Sequence, residues 1–268
     1  MNCGKRKIFL FLFGFLALFF FLFLVCSRDT KPNFTFYRDA IIRGDSTRKE
    51  IALVFTGGDF SDGGWHIQNV LDQENIPAGF FFTGDFYRNE INQALIEQLV
   101  RDGHYLGPHS DQHLLYCSWE KRDSLLLTKN DFIQDILANY SEMERFGIRK
   151  NTTPFFIPPY EWYNETIVRW ANETGLVLFN MTPGTLSHAD YTTPDMANYR
   201  DSERIYHSIL DYEKKHNNGL NGFILLIHIG SHPDRTDKFY QLLAPLIGEL
   251  KTRGYQFKRI DQLIGEQK

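Results

Sequence analysis

After residue 50, short and almost uniformly apolar runs alternate with longer stretches whose apolar positions recur at helical spacing. The apolar runs predict strands at residues 50–55, 78–83, 105–106, 155–157, 176–179, 223–227 and 255–257. The periodic stretches predict helices at residues 65–71, 94–100, 132–146, 167–171, 206–212 and 239–250. Because strands covered on both faces are apolar at nearly every position, the alternation predicts an α/β fold with a parallel sheet, either a barrel or doubly wound.

Residue types that bind ligands recur where the predicted strands end. In parallel α/β folds the carboxyl ends of the strands meet at one edge, and catalytic groups collect there. The residues that follow the predicted strands include Asp59, His109, His113, Tyr160, Trp162, Asp190, Tyr191 and His228. Their common position predicts one shared site.

His109 and His113 are candidate metal ligands. If a helical turn follows Pro108, their spacing of four residues places both imidazoles on one face, as a divalent metal requires. Zinc-like sites add a carboxylate and keep an open position for water. Asp59 is the nearest candidate carboxylate, since it follows the first strand after two glycines that allow a sharp turn. These side chains predict a divalent transition metal, with zinc as the first choice.

His228 directly follows a fully apolar strand. The pKa of a free imidazole is about 6.5, so this side chain is suited to act as a general acid near neutral pH. Asp190 is available to orient the imidazole and to raise its basicity through a hydrogen bond. The competing interpretation is that His228 simply ends a strand and has no catalytic role.

The N-terminus carries an export or anchoring pattern. Three cations at residues 5–7 precede an uncharged run of 19 residues, 8–26, which contains eight phenylalanines. A cationic segment before such a run is typical of export, and 19 residues are just enough to span about 30 Å of hydrocarbon. Cys26 closes the run as in a bacterial lipoprotein signal, although Val25 stands where a small residue is usual. We expect an apolar helix or signal segment that tethers the protein as a lipoprotein or as an uncleaved anchor, with a freely secreted protein as the third alternative.

These patterns divide the chain into three segments. Residues 1–26 are the expected signal or anchor, residues 27–49 a polar tether and lead-in, and residues 50–268 a catalytic domain outside the cytoplasm. The 268 residues carry a net charge of −4 without a long basic run after residue 8, so no nucleic-acid partner is expected. Three cysteines exclude a disulfide scaffold and a cysteine-based zinc site.

The ordered motifs resemble carbohydrate esterase family 4, the polysaccharide deacetylases with a NodB-homology domain. The sequence GHYLGPHSDQH at residues 103–113 matches the family pattern G-H-x-(I/L)-G-x-H-(S/T)-x-x-H. The segment IALVFTGGD stands where the family has a strand ending in T-F-D-D-G, and FFIPPYEWYN stands at F-R-P-P-Y-G. Residues 189–191 (ADY) stand near its D-W, and FILLIHIG stands at I-V-L-x-H. The likeness runs from about residue 50 to residue 263.

The resemblance implies a distorted (β/α)7 barrel and metal-assisted hydrolysis of an N- or O-linked acetyl group on a carbohydrate. It implies that His109 and His113 bind the metal, which polarises the acetyl carbonyl and lowers the pKa of bound water. A carboxylate then takes the proton of the water, and His228 protonates the leaving group. The backbone N–H of Tyr160 is implied as a donor to the oxyanion.

The expected partner is therefore an acetylated glycan. Trp162, Tyr163 and Tyr191 follow the site motifs, and aromatic rings at the rim of a cleft are suited to stacking on sugar faces.

The first motif departs from the family. Thr56 and Gly57 stand at its two aspartates, which are the general base and a metal ligand, and Ile157 stands at the arginine that steadies the base. Both halves of a charged pair are absent together, which is coherent because a buried arginine without its partner is costly. We therefore expect a rearranged site in which Asp59 is the metal ligand. The fourth motif is also altered, with Tyr191 where the family has tryptophan.

The general base is left open by the sequence. Asp62 is a candidate, although Ser61-Asp62-Gly63 is also typical of a helix N-cap, and we favour the cap. Asp59 is a second candidate, in a role that bridges metal and water. Two other functions compete with a carbohydrate deacetylase: hydrolysis of a non-sugar amide by the same fold, and a catalytically silent carbohydrate-binding module.

Overall fold

Strands and helices alternate through most of the chain. The computed structural model describes residues 33–265. Its strands are β1 (Thr35–Tyr37), β2 (Ala40–Arg43), β3 (Glu50–Gly57), β4 (Gly79–Phe82), β5 (Tyr105–Pro108), β6 (Phe155–Phe156), β7 (Val177–Leu178), β8 (Phe223–His228) and β9 (Gln256–Phe257). Its helices are α1 (Gly64–Glu74), α2 (Gly84–Arg88), α3 (Gln93–Arg101), α4 (Lys129–Glu144), α5 (Glu165–Glu173), α6 (Ser202–Lys215), α7 (Leu243–Thr252) and α8 (Ile260–Leu263). Turns of 3₁₀-helix occur at Glu90–Asn92, Pro159–Glu161, Ser187–Tyr191 and Phe239–Leu242.

A parallel sheet occupies the centre. Its hydrogen-bonded order is β5-β4-β3-β8, and β9 pairs with the beginning of β3. In this register Thr56 lies opposite His228, and Gly57 lies opposite Phe82. The carboxyl ends of β3, β4, β5 and β8 therefore meet at one edge. The predicted α/β fold with a parallel sheet is confirmed.

The parallel pair β6–β7 and the antiparallel hairpin β1–β2 lie beside this sheet. Backbone hydrogen bonds next to the strands join them to it and to each other: Asn180 N–H donates to Ile41 O at 2.8 Å, Thr182 N–H donates to Ile224 O at 3.0 Å, and Gly44 N–H donates to Gly222 O at 2.7 Å. Within residues 33–265 the ladders nevertheless form three separate sheets. Closure into a distorted (β/α)7 barrel stays a prediction.

The alternation of side chains along the strands sorts the interior into two cores. Phe55 and Phe80 lie in one core, with ring centroids 5.1 Å apart. Val54 and Phe81 lie in the core on the opposite face of the same strands. A register slip of one residue would turn each side chain to the opposite face and would misplace both layers. Such a slip would be costly, because burying one phenylalanine stabilises the fold by roughly 1.5–3 kcal/mol. This two-sided packing fixes where each strand ends, and hence where the site lies.

The hairpin β1–β2 falls in the segment predicted as tether and lead-in, so that residues 35–43 form regular structure instead of irregular chain. It packs on the domain through specific contacts. The hydroxyl of Tyr163 donates to the carbonyl of Tyr37 at 2.9 Å, and Arg38 pairs with Glu165 at 2.9 Å. These contacts join the hairpin to residues 163–165, while the division of the chain at residues 26 and 49 stays a prediction.

The predicted signal or anchor, residues 1–26, and the apolar helix expected there lie outside the described residues. From residue 33 to residue 265, no helix has both the length and the apolar character needed to cross a bilayer. The assignment of residues 1–26 stays a prediction.

Candidate active site

The carboxyl edge of the sheet borders a cleft of about 480 Å³. Thr56 and Asp59 line it from the end of β3, His228 from the end of β8, and Tyr191 from the 3₁₀ turn Ser187–Tyr191. The charge of His228 acts on both histidines that follow β5, because it lowers the pKa of His109 and of His113. Of the predicted groups, Asp59, Tyr191 and His228 line the cleft itself.

His109 is buried and held by two hydrogen bonds. Its backbone N–H donates to Asn139 Oδ1 at 2.9 Å, and its Nδ1 lies 2.9 Å from the carbonyl oxygen of Ile157. Because a carbonyl can only accept, Nδ1 carries the proton and Nε2 keeps its lone pair. Burial, with the charges of His113 and His228, holds the pKa of His109 well below its usual value. His109 is therefore a neutral imidazole with a fixed tautomer.

His113 lies beside His109, with ring centroids 5.0 Å apart. Burial and the charge of His228 lower the pKa of His113 to about 4, although Asp59 acts in the opposite direction. The sequence argument for this pair was wrong in its geometry. Pro108 ends β5 and no helical turn follows it, since His113 lies at a positive φ of 55° in a loop. The loop reverses the chain and brings the two rings together without a helix.

Helix α4 holds this loop in place. Asp135 Oδ1 accepts from the backbone N–H groups of Asp111 and Gln112 at 3.1 and 3.2 Å, and Oδ2 accepts from the hydroxyl of Tyr116 at 2.8 Å. Asn139, one turn further, binds His109. Sequence reasoning missed both α4 residues. The signal for them is that they lie one turn apart on a buried face that is otherwise apolar.

Asp190 and His228 form a close pair. The distance from His228 Nδ1 to Asp190 Oδ1 is 2.6 Å, and the backbone N–H of His228 donates to Asp190 Oδ2 at 2.8 Å. Burial alone would lower the pKa of His228, but the charge and the hydrogen bond of buried Asp190 outweigh it and raise that pKa. The pair thus stabilises an imidazolium, which is the form that a general acid needs.

The two imidazoles after β5 fit a transition metal in donor type, because both are neutral at pH 7. Asp59 is exposed at the cleft wall. Among residues 33–265, no group of three or more His, Cys, Asp or Glu side chains is arranged to hold a metal ion. The residues described therefore supply two donors, and Asp59 as the third stays a prediction.

The positions of the two missing aspartates have been filled in different ways. Thr56 is buried, and its Oγ1 has no hydrogen-bond partner among the described residues. At Gly57 a Cβ would meet Ile229 Cγ2 at 2.7 Å and Phe82 Cδ1 at 2.9 Å. Ile157, at the position of the arginine, is fully buried. Apolar packing thus occupies the space that a second aspartate would need.

Asp62 is not available as a base. Its Oδ1 accepts from Ser231 N–H at 2.9 Å, and its Oδ2 lies 2.9 Å from both the Tyr240 hydroxyl and Lys238 Nζ. Burial would raise the pKa of Asp62, but these hydrogen bonds lower it. The predicted cap is also wrong for this residue, because Gly63 is the N-cap of α1 and no side chain caps it. Asp62 instead joins the loop after β3 to the loop after β8.

Aromatic rings were predicted at the rim for Trp162, Tyr163 and Tyr191, and of these Tyr191 lines the cleft. Tyr160 is 45% exposed and Tyr191 42%, and Trp162 is half-buried. Tyr163 was wrongly placed at the rim, since it is fully buried. Sequence reasoning missed Trp119, which is 54% exposed and has its ring centroid 5.6 Å from that of Tyr160 and 5.0 Å from that of Trp162. These three rings form an aromatic cluster, in which the guanidinium of Arg122 lies 3.7 Å from the ring centroid of Trp162.

Glu161 is a second residue that the sequence argument missed. It stands where the motif F-R-P-P-Y-G has glycine, and its backbone has a positive φ of 53°. Burial raises the pKa of its carboxyl to about 7, with His228 lowering it and Asp190 raising it further. A charged residue at a glycine position of the motif was the available signal.

Comparison with known proteins places this arrangement in a family. The family model described as polysaccharide deacetylase matches residues 43–179. The chain belongs to the polysaccharide deacetylase family. Members are hydrolases that act on amide or ester bonds of carbohydrates, so the reaction class predicted from the motifs is confirmed.

Relatives within the polysaccharide deacetylase family act on peptidoglycan, as their names state. The chain is 27% identical over 222 residues to peptidoglycan-N-acetylglucosamine deacetylase of Bacillus cereus, covering 82% of this chain and 90% of that one. It is 25% identical over 228 residues to peptidoglycan-N-acetylmuramic acid deacetylase PdaA of Bacillus subtilis, covering 85% and 76%.

Solved structures share the fold of this polysaccharide deacetylase. PdaA of Bacillus subtilis, a family 4 carbohydrate esterase, superposes with a TM-score of 0.66 at 21% identity, covering 86% of this chain and 87% of that one. A family 4 acetyl xylan esterase from Clostridium thermocellum, in complex with a cobalt ion, gives 0.59 at 22%, covering 80% and 89%. A pseudoenzyme of the same family from Bacillus anthracis gives 0.63 at 17%, covering 85% and 69%. The fold is therefore shared by proteins with and without activity.

Proposed function

We propose that this chain removes acetyl groups from N-acetylated sugars of a peptidoglycan-type glycan, with the help of a divalent transition metal. The observation that carries the proposal is the pair of Asp190 and His228, 2.6 Å apart, at the sheet edge where His109 and His113 also lie. The names of the curated relatives support a carbohydrate substrate over a non-sugar amide.

The described residues supply two roles, metal binding and proton donation. A metal on His109 and His113, with Asp59 as the expected third ligand, would polarise the acetyl carbonyl and acidify water, and zinc is our first choice. The role of His228 follows from its partner: Asp190 favours the protonated imidazole, which would donate its proton to the leaving nitrogen.

The substrate would lie along the aromatic cluster formed by Trp119, Tyr160 and Trp162 and over Tyr191, which lines the cleft beside His228. Sugar rings present flat apolar faces to such side chains. The backbone N–H of Tyr160 as a donor to the oxyanion belongs to this proposal.

We also propose that the catalytic domain acts outside the cytoplasm, tethered by residues 1–26. The support is the cationic residues 5–7 before the apolar run 8–26. If Cys26 is lipidated, Cys26→Ala blocks maturation of the precursor. If the run is an uncleaved anchor, the same change has no effect and the membrane-bound chain keeps Met1.

The proposed activity is tested by acetate release from peptidoglycan fragments and from N-acetylglucosamine oligomers. The full chain is supplied in turn with Zn²⁺, Co²⁺ or a chelator. We expect metal-dependent release that falls by about 10²–10⁴-fold in His228→Ala, the usual size of a general acid–base contribution. His207→Ala is the matched control, since His207 is exposed on α6. Glycan binding without acetate release in every condition would refute the proposal and identify a silent carbohydrate-binding protein.

A further inference from the structure

The aromatic cluster of Trp119, Tyr160 and Trp162 begins beside a candidate metal ligand. The ring centroid of Tyr160 lies 4.3 Å from that of His113. From Tyr160 the contacts continue to Trp119 at 5.6 Å, and from Trp119 to Trp162 at 5.0 Å. A glycan whose acetyl group lies at the histidine pair therefore has an aromatic surface next to it, along which its neighbouring sugars extend.

The far end of this cluster carries a guanidinium. Cζ of Arg122 lies 3.7 Å from the ring centroid of Trp162 and 5.5 Å from that of Tyr37, a residue of β1 that is 48% exposed. Tryptophan is the aromatic side chain that attracts a cation most strongly. Nε of Arg122 donates to the carbonyl of Tyr163 at 2.7 Å. The stacking and the hydrogen bond together fix the plane of the guanidinium.

The fixed guanidinium has two nitrogens left to bind a ligand. Within residues 33–265 the hydrogen bond from Nε is the one polar contact of the Arg122 side chain. Nη1 and Nη2 are not among the buried polar atoms that lack a partner, and they therefore reach solvent. The adjacent carboxylate of Asp123 pairs with Arg38 instead, at 3.3 Å. A planar guanidinium that is held in this way matches the two oxygens of a carboxylate.

The cleft that His228 lines carries the opposite charge. Asp195 and Asp234 line it in addition to Asp59, the expected metal ligand, and among the described residues of its lining there is neither a lysine nor an arginine. The charge of a protonated His228 is balanced by Asp190. Because like charges that face each other at an interface are unfavourable, a carboxylate of the substrate is disfavoured in this cleft and favoured at Arg122.

We propose that Arg122 binds a carboxylate carried by the glycan, so that the preferred substrate is an acidic glycan and not a neutral polymer of N-acetylglucosamine. The inference rests on the proposed function for the identity of the ligand as a glycan. The sugar rings lie on Trp119 and Tyr160, the exposed rings of the cluster, and the carboxylate lies on Nη1 and Nη2 of Arg122. The lactyl ether of a muramic acid and the ring of a uronic acid both supply such a carboxylate.

The test first changes the ligand. Binding is measured by calorimetry in the full, metal-supplied chain carrying His228→Ala, so that turnover does not consume the ligand. Oligosaccharides of equal length carry free lactyl carboxylates, the same groups as methyl amides, or N-acetylglucosamine alone. We expect the free carboxylate to bind about 10-fold more tightly than the amide, at the low end for hydrogen bonds to a charged group because Arg122 is half-buried. Added salt should reduce this preference. Equal affinity for acid and amide would overturn the proposal.

The test then changes the protein. Arg122→Gln should weaken binding of the free carboxylate by about 10-fold, while the affinities for the amide and the neutral oligomer stay within about two-fold. Arg122→Lys should retain part of the preference, since it keeps the charge but lacks the planar fork. Arg204→Gln is the control for the loss of one charge, because Arg204 is exposed on α6. A merely structural role of Arg122 would weaken all three ligands equally, and that result would refute the proposal.

Acetate release from the chain with intact His228 separates this inference from the proposed function. If the free carboxylate is preferred but no ligand releases acetate, the proposed function is wrong and the role of Arg122 stands. If acidic and neutral oligomers release acetate equally and Arg122→Gln changes neither binding nor release, the inference is wrong and the proposed function stands. An oligomer with glucuronic acid distinguishes the two sources, because Arg122 binds the carboxylate whose affinity falls most in Arg122→Gln.

Discussion

Alanine substitution at two adjacent glycines at the end of β3 should change the free energy of unfolding in opposite directions. A Cβ at Gly57 would meet Ile229 Cγ2 at 2.7 Å and Phe82 Cδ1 at 2.9 Å, both in fully buried side chains. A Cβ at Gly58 would meet its nearest atom, Thr83 Cγ2, at 3.7 Å, an ordinary van der Waals distance. Neither glycine has a positive φ, so the difference is one of space.

The expected magnitudes follow from this difference. Overpacking a core costs about 1–3 kcal/mol, whereas Gly→Ala at a compatible position gains about 0.4–1 kcal/mol by restricting the unfolded chain. Gly57→Ala should therefore lower the free energy of unfolding, and Gly58→Ala should leave it unchanged or raise it slightly. For a domain of this size 1 kcal/mol corresponds to about 2–4 °C in Tm.

Urea unfolding followed by tryptophan fluorescence measures both variants, with the slope m as a check that the unfolding transition has not changed. Free energies of unfolding for Gly57→Ala and Gly58→Ala that agree within about 0.5 kcal/mol would refute the packing argument. If the argument holds, Gly57→Asp should destabilise the chain further by burying a charge and should not increase metal binding.

Three more outcomes follow from the site. His109→Ala or His113→Ala should abolish metal binding, measured by elemental analysis, with circular dichroism unchanged; full metal content in either variant would contradict the ligand assignment. Asp190→Asn should lower the pKa of His228, so the alkaline limb of the pH–rate profile should move to lower pH; an unmoved limb would show that another group titrates there. Glu161→Gly should raise the free energy of unfolding by about 0.5–2 kcal/mol by relieving strain. That gain should be larger at pH 8 than at pH 5, because burial raises the pKa of Glu161 from 4.5 to about 7 and its ionised form opposes folding; a gain that does not change with pH would refute the burial argument.

The sequence predicted the sheet well for a physical reason. Residues 223–227 are apolar at every position because β8 is covered on both faces, and this pattern is visible without a structure. The hairpin β1–β2 was not predicted, since all three residues of β1 are exposed and show no alternation of buried and exposed positions. Its order depends on distant partners such as Tyr163 and Glu165.

The sequence predicted which residues form the candidate site more accurately than it predicted how they are arranged. Asp190 and His228 meet as expected, because the register of β8 fixes one of them. His113 reaches His109 through a loop with positive φ at His113, which spacing alone cannot distinguish from a helical turn. Glu161 was missed although it stands at a glycine position of the motif, because its positive φ and its burial cannot be read from the motif.

The bond between Asn139 and His109 links the chemistry of the site to the opening of a helix. Asn139 is fully buried; its Oδ1 accepts from His109 N–H, while its Nδ2 donates to the carbonyl of Phe82 at 3.2 Å. Hydrogen exchange at the His109 amide therefore requires α4 to separate from β4 and β5. The exchange rate of this amide therefore measures how often α4 separates and the two histidines lose their arrangement. A metal that binds both rings stabilises the closed form, so the His109 amide should exchange more slowly when the metal is bound.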